Sequence, residues 1–317
     1  DLIRRVLLSQ ISDPKSPKSE GFFTRILFHY ASSGLLDDAV RLFHQIPNPT
    51  QLSFCALLTA LLNDRKYDLA IEKFETLPKS TGIEPGLVAY SLYLKALCFK
   101  EDTETVRKVL DEMVESKGLA PDIICYNAVL YGYMKSGDGD GFAGILGEIE
   151  KRGLEPNVFT YNCRIAMFCG KSQSFKGEEI LDVMESKGLV PNLWSFNELI
   201  DGFCKEGDLE SAVRVFKRMK VMKRANGKEG FSPNSRSYLL LTRSLVEKGE
   251  FGLGLEICKE SLVRKFVPPF EIVKGLVEGL AKNEKVEEAK DIIEKMNLVV
   301  TGEAVDAWKK IENSLAL

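Results

Sequence analysis

The sequence predicts an all-α chain built as an α-solenoid, a stack of about eight helix-turn-helix hairpins with a capping helix at its C-terminal end. Three observations carry that expectation. Proline recurs at a nearly fixed interval: Pro49, Pro85, Pro121, Pro156, Pro191, Pro233 and Pro268 are separated by 36, 36, 35, 35, 42 and 35 residues. Five of them close one local pattern, Gly-apolar-x-Pro with an aromatic residue five positions on, as in Gly118 to Pro121 and Tyr126, or Gly188 to Pro191 and Phe196. Each interval also holds two amphipathic stretches of 3.6-residue period, parted by a short break such as Lys135-Ser-Gly-Asp138 or Lys205-Glu-Gly-Asp208.

Each part of the pattern has a physical role. Glycine just past a helix takes the left-handed conformation, and the apolar residue after it folds back on the last turn. Proline then prevents the helix from continuing and sets up the next one. A single hairpin cannot bury its apolar face, whereas stacked hairpins bury a continuous one. In chain order, residues 1–19 form an apolar helix and a linker with Pro14 and Pro17. Repeats follow at 20–50, 51–86, 87–122, 123–157, 158–192, 193–234, 235–269 and 270–301, and residues 302–317, with Trp308, form the capping helix.

Composition narrows the function. The 317 residues are 44% apolar and 28% charged, with 43 Lys and Arg against 46 Asp and Glu, a formal charge of −3. No apolar run approaches the roughly 20 residues of a membrane span. Seven widely spaced cysteines contain no C-x-x-C pair, sit among apolar residues and are expected to be buried free thiols. Only His29 and His44 are present, and neither has a carboxylate at metal-ligand spacing. Zinc hydrolase and deaminase patterns, histidine triads and phosphate-binding loops are all missing from the sequence. We therefore expect no catalytic residues, no metal, no cofactor and no small-molecule substrate.

The stretches Ile124-Cys-Tyr-Asn-Ala-Val-Leu-Tyr-Gly-Tyr-Met-Lys-Ser-Gly137 and Leu193-Trp-Ser-Phe-Asn-Glu-Leu-Ile-Asp-Gly-Phe-Cys-Lys-Glu-Gly207 strongly resemble the pentatricopeptide repeat family, of the pure 35-residue type. The Trp and Leu-Gly signature of 34-residue tetratricopeptide repeats is missing. The resemblance covers residues 20 to about 300, with four close central matches and degraded outer units. It implies single-stranded RNA along the concave face, one base per repeat. It also implies a plant organellar protein whose transit peptide is gone, mitochondrial or alternatively chloroplast, because the chain begins at Asp1 without Met.

By the same resemblance, the fifth and last residues of each repeat address a base. These are Ser91 with Asp122, Asn127 with Asn157, Asn162 with Asn192, and Asn197 with Asn234. By that resemblance Asn–Asn pairs favour pyrimidines and the Ser91–Asp122 pair guanine, which implies a core of G-Y-Y-Y read 5′ to 3′; an Asn amide can donate or accept at a base edge. The flanking pairs, Cys55 with Gly86 and Leu239 with Pro269, cannot make two base-edge hydrogen bonds. Second-position residues Val88, Ile124, Phe159 and Trp194 would clamp bases, with inter-repeat packing as the competing role for the two aromatics. Lysine at the thirteenth or fourteenth position recurs in six successive repeats, at Lys100, Lys135, Lys171, Lys205, Lys248 and Lys282. That placement suits either phosphate contact or the carbonyl end of a helix.

The repeat 193–234 is seven residues too long, and its excess, Lys217 to Lys228, carries six positive charges including Lys220, Lys223, Arg224 and Lys228. It reads as a solvated loop or as a finger docking on structured RNA. Carboxylates such as Glu178, Glu179, Glu287 and Glu288 fall on second helices, which suggests that the charge of −3 is a cancellation between a basic inner and an acidic outer face. The stretch Ile257 to Leu262, Val267-Pro-Pro-Phe270 and Trp308 resemble the plant mitochondrial ribosome-associated subgroup. The leading expectation is a structural ribosomal subunit contacting ribosomal RNA and ribosomal proteins, with no membrane partner. A soluble transcript-binding factor and a protein–protein scaffold are the alternatives.

Overall fold

The glycines of the repeated pattern do what the pattern requires: Gly82, Gly118, Gly153 and Gly188 all have φ between 61° and 73°. Such backbone is open to glycine at no steric cost. Lys265 takes the same conformation at a repeat end where the glycine is missing, with φ 64°. A computed structural model describes residues 2–13, 16, 18–100, 102–222, 232–300 and 303–314. Among them every regular element is an α-helix, and no helix is long and apolar enough to cross a membrane.

The chain divides into two units, Asp1–Pro156 and Asn157–Leu317. The first holds α1 (Leu2–Ser12), α2 (Glu20–Ser32), α3 (Leu36–Phe43), α4 (Gln51–Asn63), α5 (Tyr67–Thr81), α6 (Leu87–Phe99), α7 (Thr103–Glu115), α8 (Ile123–Ser136) and α9 (Gly139–Lys151). The second holds α10 (Val158–Gly170), α11 (Ser174–Ser186), α12 (Leu193–Glu206), α13 (Leu209–Val221), α14 (Ser235–Glu247), α15 (Phe251–Val263), α16 (Phe270–Lys282), α17 (Val286–Val299) and α18 (Glu303–Ser314). Within each unit the first helices pack in sequence, α2 on α4, α6 and α8, and α10 on α12, α14 and α16. Each second helix packs on its own first helix.

The recurrent aromatic after each proline enters this stack. Tyr126, Tyr161, Phe196 and Tyr238 are at most 2% exposed. In the second unit, Phe196, Leu199 and Phe203 pack with Phe216, Met219 and Tyr238 of the neighbouring helices. Trp308 of α18 is fully buried against the last hairpin, its ring edge-on to Phe270 at 4.8 Å. Deleting a side chain of that size from a core costs roughly 3–5 kcal/mol, so Trp308 anchors α18 on the last hairpin.

Candidate nucleic-acid interface

The residue after each proline is the N-cap of the next first helix, and this role fixes where the sequence-predicted base-reading groups lie. Asn192 Oδ1 accepts from the N–H groups of Trp194 (3.0 Å) and Ser195 (3.2 Å), and Ser195 Oγ accepts from Asn192 N–H at 3.0 Å, completing a capping box. The fifth residue of the preceding repeat joins this cap. Asn162 Nδ2 donates to Asn192 Oδ1 at 3.1 Å, and Ser195 Oγ donates to Asn162 Oδ1 at 2.5 Å. The same module returns one repeat on: Asn197 Nδ2 reaches Asn234 Oδ1 at 3.4 Å, and Ser237 Oγ donates to Asn197 Oδ1 at 2.6 Å. Asn162 and Asn197 are buried, while Asn192 is exposed. Asn192 spends its oxygen on the cap and on Asn162, so its amide NH₂, a two-proton donor, is the group left for a base.

The remaining predicted readers share the capping logic only in part. Asn127 is buried on α8, and Asn157 caps α10 through a second capping box. Asp122 Oδ1 caps α8, accepting from Ile124 and Cys125 N–H at 3.0 Å. Ser91 turns its hydroxyl back to the Val88 carbonyl at 2.8 Å.

The second-position residues are placed on the surface and not in the core. Val88 and Ile124 are 57% and 58% exposed, and Phe159 is 39% exposed. Trp194 is half-buried, edge-on to Phe159 at 5.1 Å, and its Nε1–H donates to Glu198 at 3.1 Å. Glu198 also accepts from Arg236 at 3.1 Å, so one carboxylate ties together the second positions of two successive repeats. Leu52 (57% exposed) and Arg236 occupy this same register outside the four central repeats. Counting one period back from Val88 and one forward from Trp194 finds both.

The six lysines all stand at first-helix ends, and all are exposed. Lys100, Lys171 and Lys248 are C-cap residues, while Lys135, Lys205 and Lys282 lie in last turns. Some are engaged: Lys100 Nζ meets Asp68 at 3.0 Å, and Lys135 lies over the Tyr131 ring at 5.5 Å. Lys205 meets Asp201 at 2.7 Å, and this hydrogen bond raises its pKa above the usual lysine value. Exposed pairs of this kind are weak, typically below about 1 kcal/mol, so they leave the lysines available to a phosphate.

The expected division of charge between two faces needs correction. Second helices carry both signs, joined in ion pairs one repeat apart: Arg214 with Glu178 and Arg218 with Asp182 at 2.6 Å, and Lys259 with Asp291 at 2.6 Å. Much of the near-zero sum is therefore pairwise on that face. First helices α4, α6 and α8 carry no carboxylate, whereas α12 carries Glu198, Asp201 and Glu206. Of the proposed basic finger, Lys220 bonds Glu260 at 2.7 Å, which makes it a tie between α13 and α15. Lys223, Arg224 and Lys228 lie outside the described residues.

Five of the thiols are buried and Cys55 and Cys169 half-buried, and burial pushes Cys98 and Cys258 up to about 12, well above the range in which a thiolate forms at neutral pH.

Comparison with known proteins bears on the repeat itself. The description "Pentatricopeptide repeat domain" matches residues 49–98 and 108–171, and "PPR repeat" matches 88–117, 159–189, 187–220 and 273–297. A mitochondrial pentatricopeptide repeat-containing protein of Arabidopsis thaliana is 34% identical over 99% of this chain and 76% of its own length. The chain belongs to the pentatricopeptide repeat family. Among other family members of the same plant, the small ribosomal subunit protein mL103 (rPPR7) is 28% identical over 99% of this chain and 75% of its own length. The small ribosomal subunit protein mS78 (rPPR3a) is 35% identical over 36% of this chain, a match that spans 29% of mS78. In fold, the chain is similar to the crystal structure of the pentatricopeptide repeat protein PPR10 in complex with an 18-nt psaJ RNA element. The TM-score is 0.62 at 19% identity, over 92% of this chain and 42% of that one.

Proposed function

We propose that this pentatricopeptide repeat chain is a non-catalytic RNA-binding subunit of the plant mitochondrial ribosome, held on ribosomal RNA and flanked by ribosomal proteins. The observation that carries the RNA part is the twice-repeated Asn–Asn–Ser module, whose first copy sets the exposed Asn192 amide donor beside the Phe159–Trp194 ring pair. A side-chain ring and a hydrogen-bond donor side by side are what an unstacked base needs. Similarity to two relatives named as small ribosomal subunit proteins supports the ribosomal part. By the family resemblance, the two Asn–Asn modules of the second unit favour pyrimidines, to whose O2 acceptors their amide donors can bond. The exposed lysines at first-helix ends contact phosphates in this reading. Because the modules are few, base reading alone selects a site weakly, and neighbouring proteins supply the rest of the specificity.

Sedimentation of mitochondrial extract tests the proposal. The chain should co-migrate with a ribosomal subunit in moderate salt and be released by nuclease. Migration as a free protein under both conditions would instead favour a soluble transcript-binding factor, a reading that the Asn modules also permit.

A further inference from the structure

The last three second helices each end on an exposed aliphatic residue in one register. Val221, Val263 and Leu298 occupy the twenty-ninth position of their repeats and are 73%, 83% and 85% exposed. In the four preceding repeats that register holds Lys79, Glu115, Lys151 and Ser186. The chain therefore shows what an unconstrained residue at this place looks like, and departs from it three times in succession. Single exposed aliphatics need no explanation, but a row on adjacent helices does. The helices are neighbours: Lys220 at the end of α13 joins Glu260 in the last turn of α15 at 2.7 Å, and Lys259 of α15 joins Asp291 in the middle of α17 at 2.6 Å. Val267 and Val299, 44% and 45% exposed, broaden the row.

A cleft of about 440 Å³ opens beside the first member of the row, lined by Leu189, Val190, Pro191, Val221 and Met222 with Glu185 and Arg218 at its polar side. It has the dimensions to take one large apolar side chain. Segments 217–222, 259–265 and 294–300 carry seven Lys and Arg against two Glu. Five of the seven are ion-paired, Arg218 with Asp182 and Glu185, Lys220 and Arg264 with Glu260, and Lys259 and Lys295 with Asp291, so the free positive charge of this rim comes from the other two. Among the described residues no ion pair holds Lys217 or Lys265, and both are exposed.

We propose that this edge of the second unit is a docking surface for a protein segment with an apolar face flanked by carboxylates, laid across the ends of α13, α15 and α17. Charge complementarity selects the occupant. The basic rim attracts an acidic partner, and the aliphatic row supplies the water-excluding contact that steering alone does not. Aliphatic side chains offer no stacking surface to a base, which disfavours RNA. Each helix contributes one or two apolar residues at its tip and none lays an apolar face in a plane, which disfavours a lipid surface. The cleft's Pro191 precedes Asn192, but Val263 and Leu298 belong to neither Asn module, so changes at those two positions test docking apart from RNA binding.

The test is site-specific photocrosslinking in the full chain within organelle extract, with the photoreactive residue at 263 or 298 and, as controls, at 79 or 151. Adducts at 263 and 298 should map to one protein and to one acidic, apolar-faced segment of it, and be missing at 79 and 151. A synthetic peptide of that segment should bind the purified chain, and V263E with L298E should weaken that binding at least tenfold. The double variant should keep its thermal melt and its affinity for a pyrimidine-rich RNA. Adducts to RNA or phospholipid, equal labelling at the control positions, no adduct at 263 or 298, or peptide affinity unchanged by the double variant would each overturn the proposal.

Discussion

Replacing Asn192 separates its structural role from its RNA-facing one. Asn192→Ala removes the acceptor that caps α12 through Trp194 and Ser195 N–H, a loss of about 1 kcal/mol for a typical N-cap. It also strands the Nδ2–H of Asn162, a fully buried group whose bond to Asn192 spans 3.1 Å. An unsatisfied buried donor costs roughly 1–3 kcal/mol, so the total is about 2–4 kcal/mol. Asn192→Asp keeps an oxygen for both tasks and adds a charge that the helix N-terminus favours; stability should change by less than about 0.5 kcal/mol. The same change replaces an amide donor by an acceptor at the exposed edge. Preference should move from cytosine, whose pairing edge offers O2 and N3 acceptors, toward uracil, whose N3–H donates. Urea unfolding of the three proteins reads the first effect, and fluorescence anisotropy with short strands differing at one base reads the second. An alanine variant as stable as the parent, or an aspartate variant as unstable as the alanine one, would refute the shared-cap reasoning.

Three further outcomes follow from packing and titration. Gly202→Ala places a Cβ into Ser174 Oγ and 2.8 Å from Cys169 Cβ, and should cost about 1–3 kcal/mol in urea unfolding. Glu284→Gly relieves a left-handed residue with φ 62° and should raise stability by about 0.5–1 kcal/mol, net of the extra freedom glycine gains on unfolding. Asp208, held below the usual carboxylate range first by the Ser211 hydroxyl and then by its N–H, contributes stability above about pH 5 that is lost as pH falls through its lowered value. Asp208→Asn keeps a capping oxygen without titrating, so the fall in urea midpoint between pH 5 and pH 3 should be smaller than in the parent.

Proline spacing made the hairpins legible because a helix stop is a local event, written within four residues. The left-handed ends at Arg65, Ser172, Lys265 and Glu284 were not, since the stack imposes φ values of 53–64° that these residues would not choose alone. The last-position Asn residues were placed by family resemblance as base readers, but their capping duty follows from chemistry any sequence shows: Asn after Pro and before a helix. What the sequence hid is the cross-repeat wiring. Glu206 reaches back to cap Ser174 at 2.9 Å over 32 residues, and Glu198 joins Trp194 to Arg236 across a repeat boundary. The ion pairs of the second helices left one usable signal, opposite charges 36 residues apart, as Glu178 with Arg214 and Asp182 with Arg218. Net charge conceals that signal because the pairs sum to zero.

The salt dependence of binding to a pyrimidine-rich single strand tests the central claim most directly. If the exposed lysines at the first-helix ends meet successive phosphates, log K should fall against log salt with a slope of about −3 to −4, from four to six contacts at roughly −0.7 each. Changing Lys135, Lys171 and Lys205 together to Glu should flatten the slope by at least about 2. No measurable affinity for any single strand, or a slope unaltered by that triple change, would contradict RNA binding through this face.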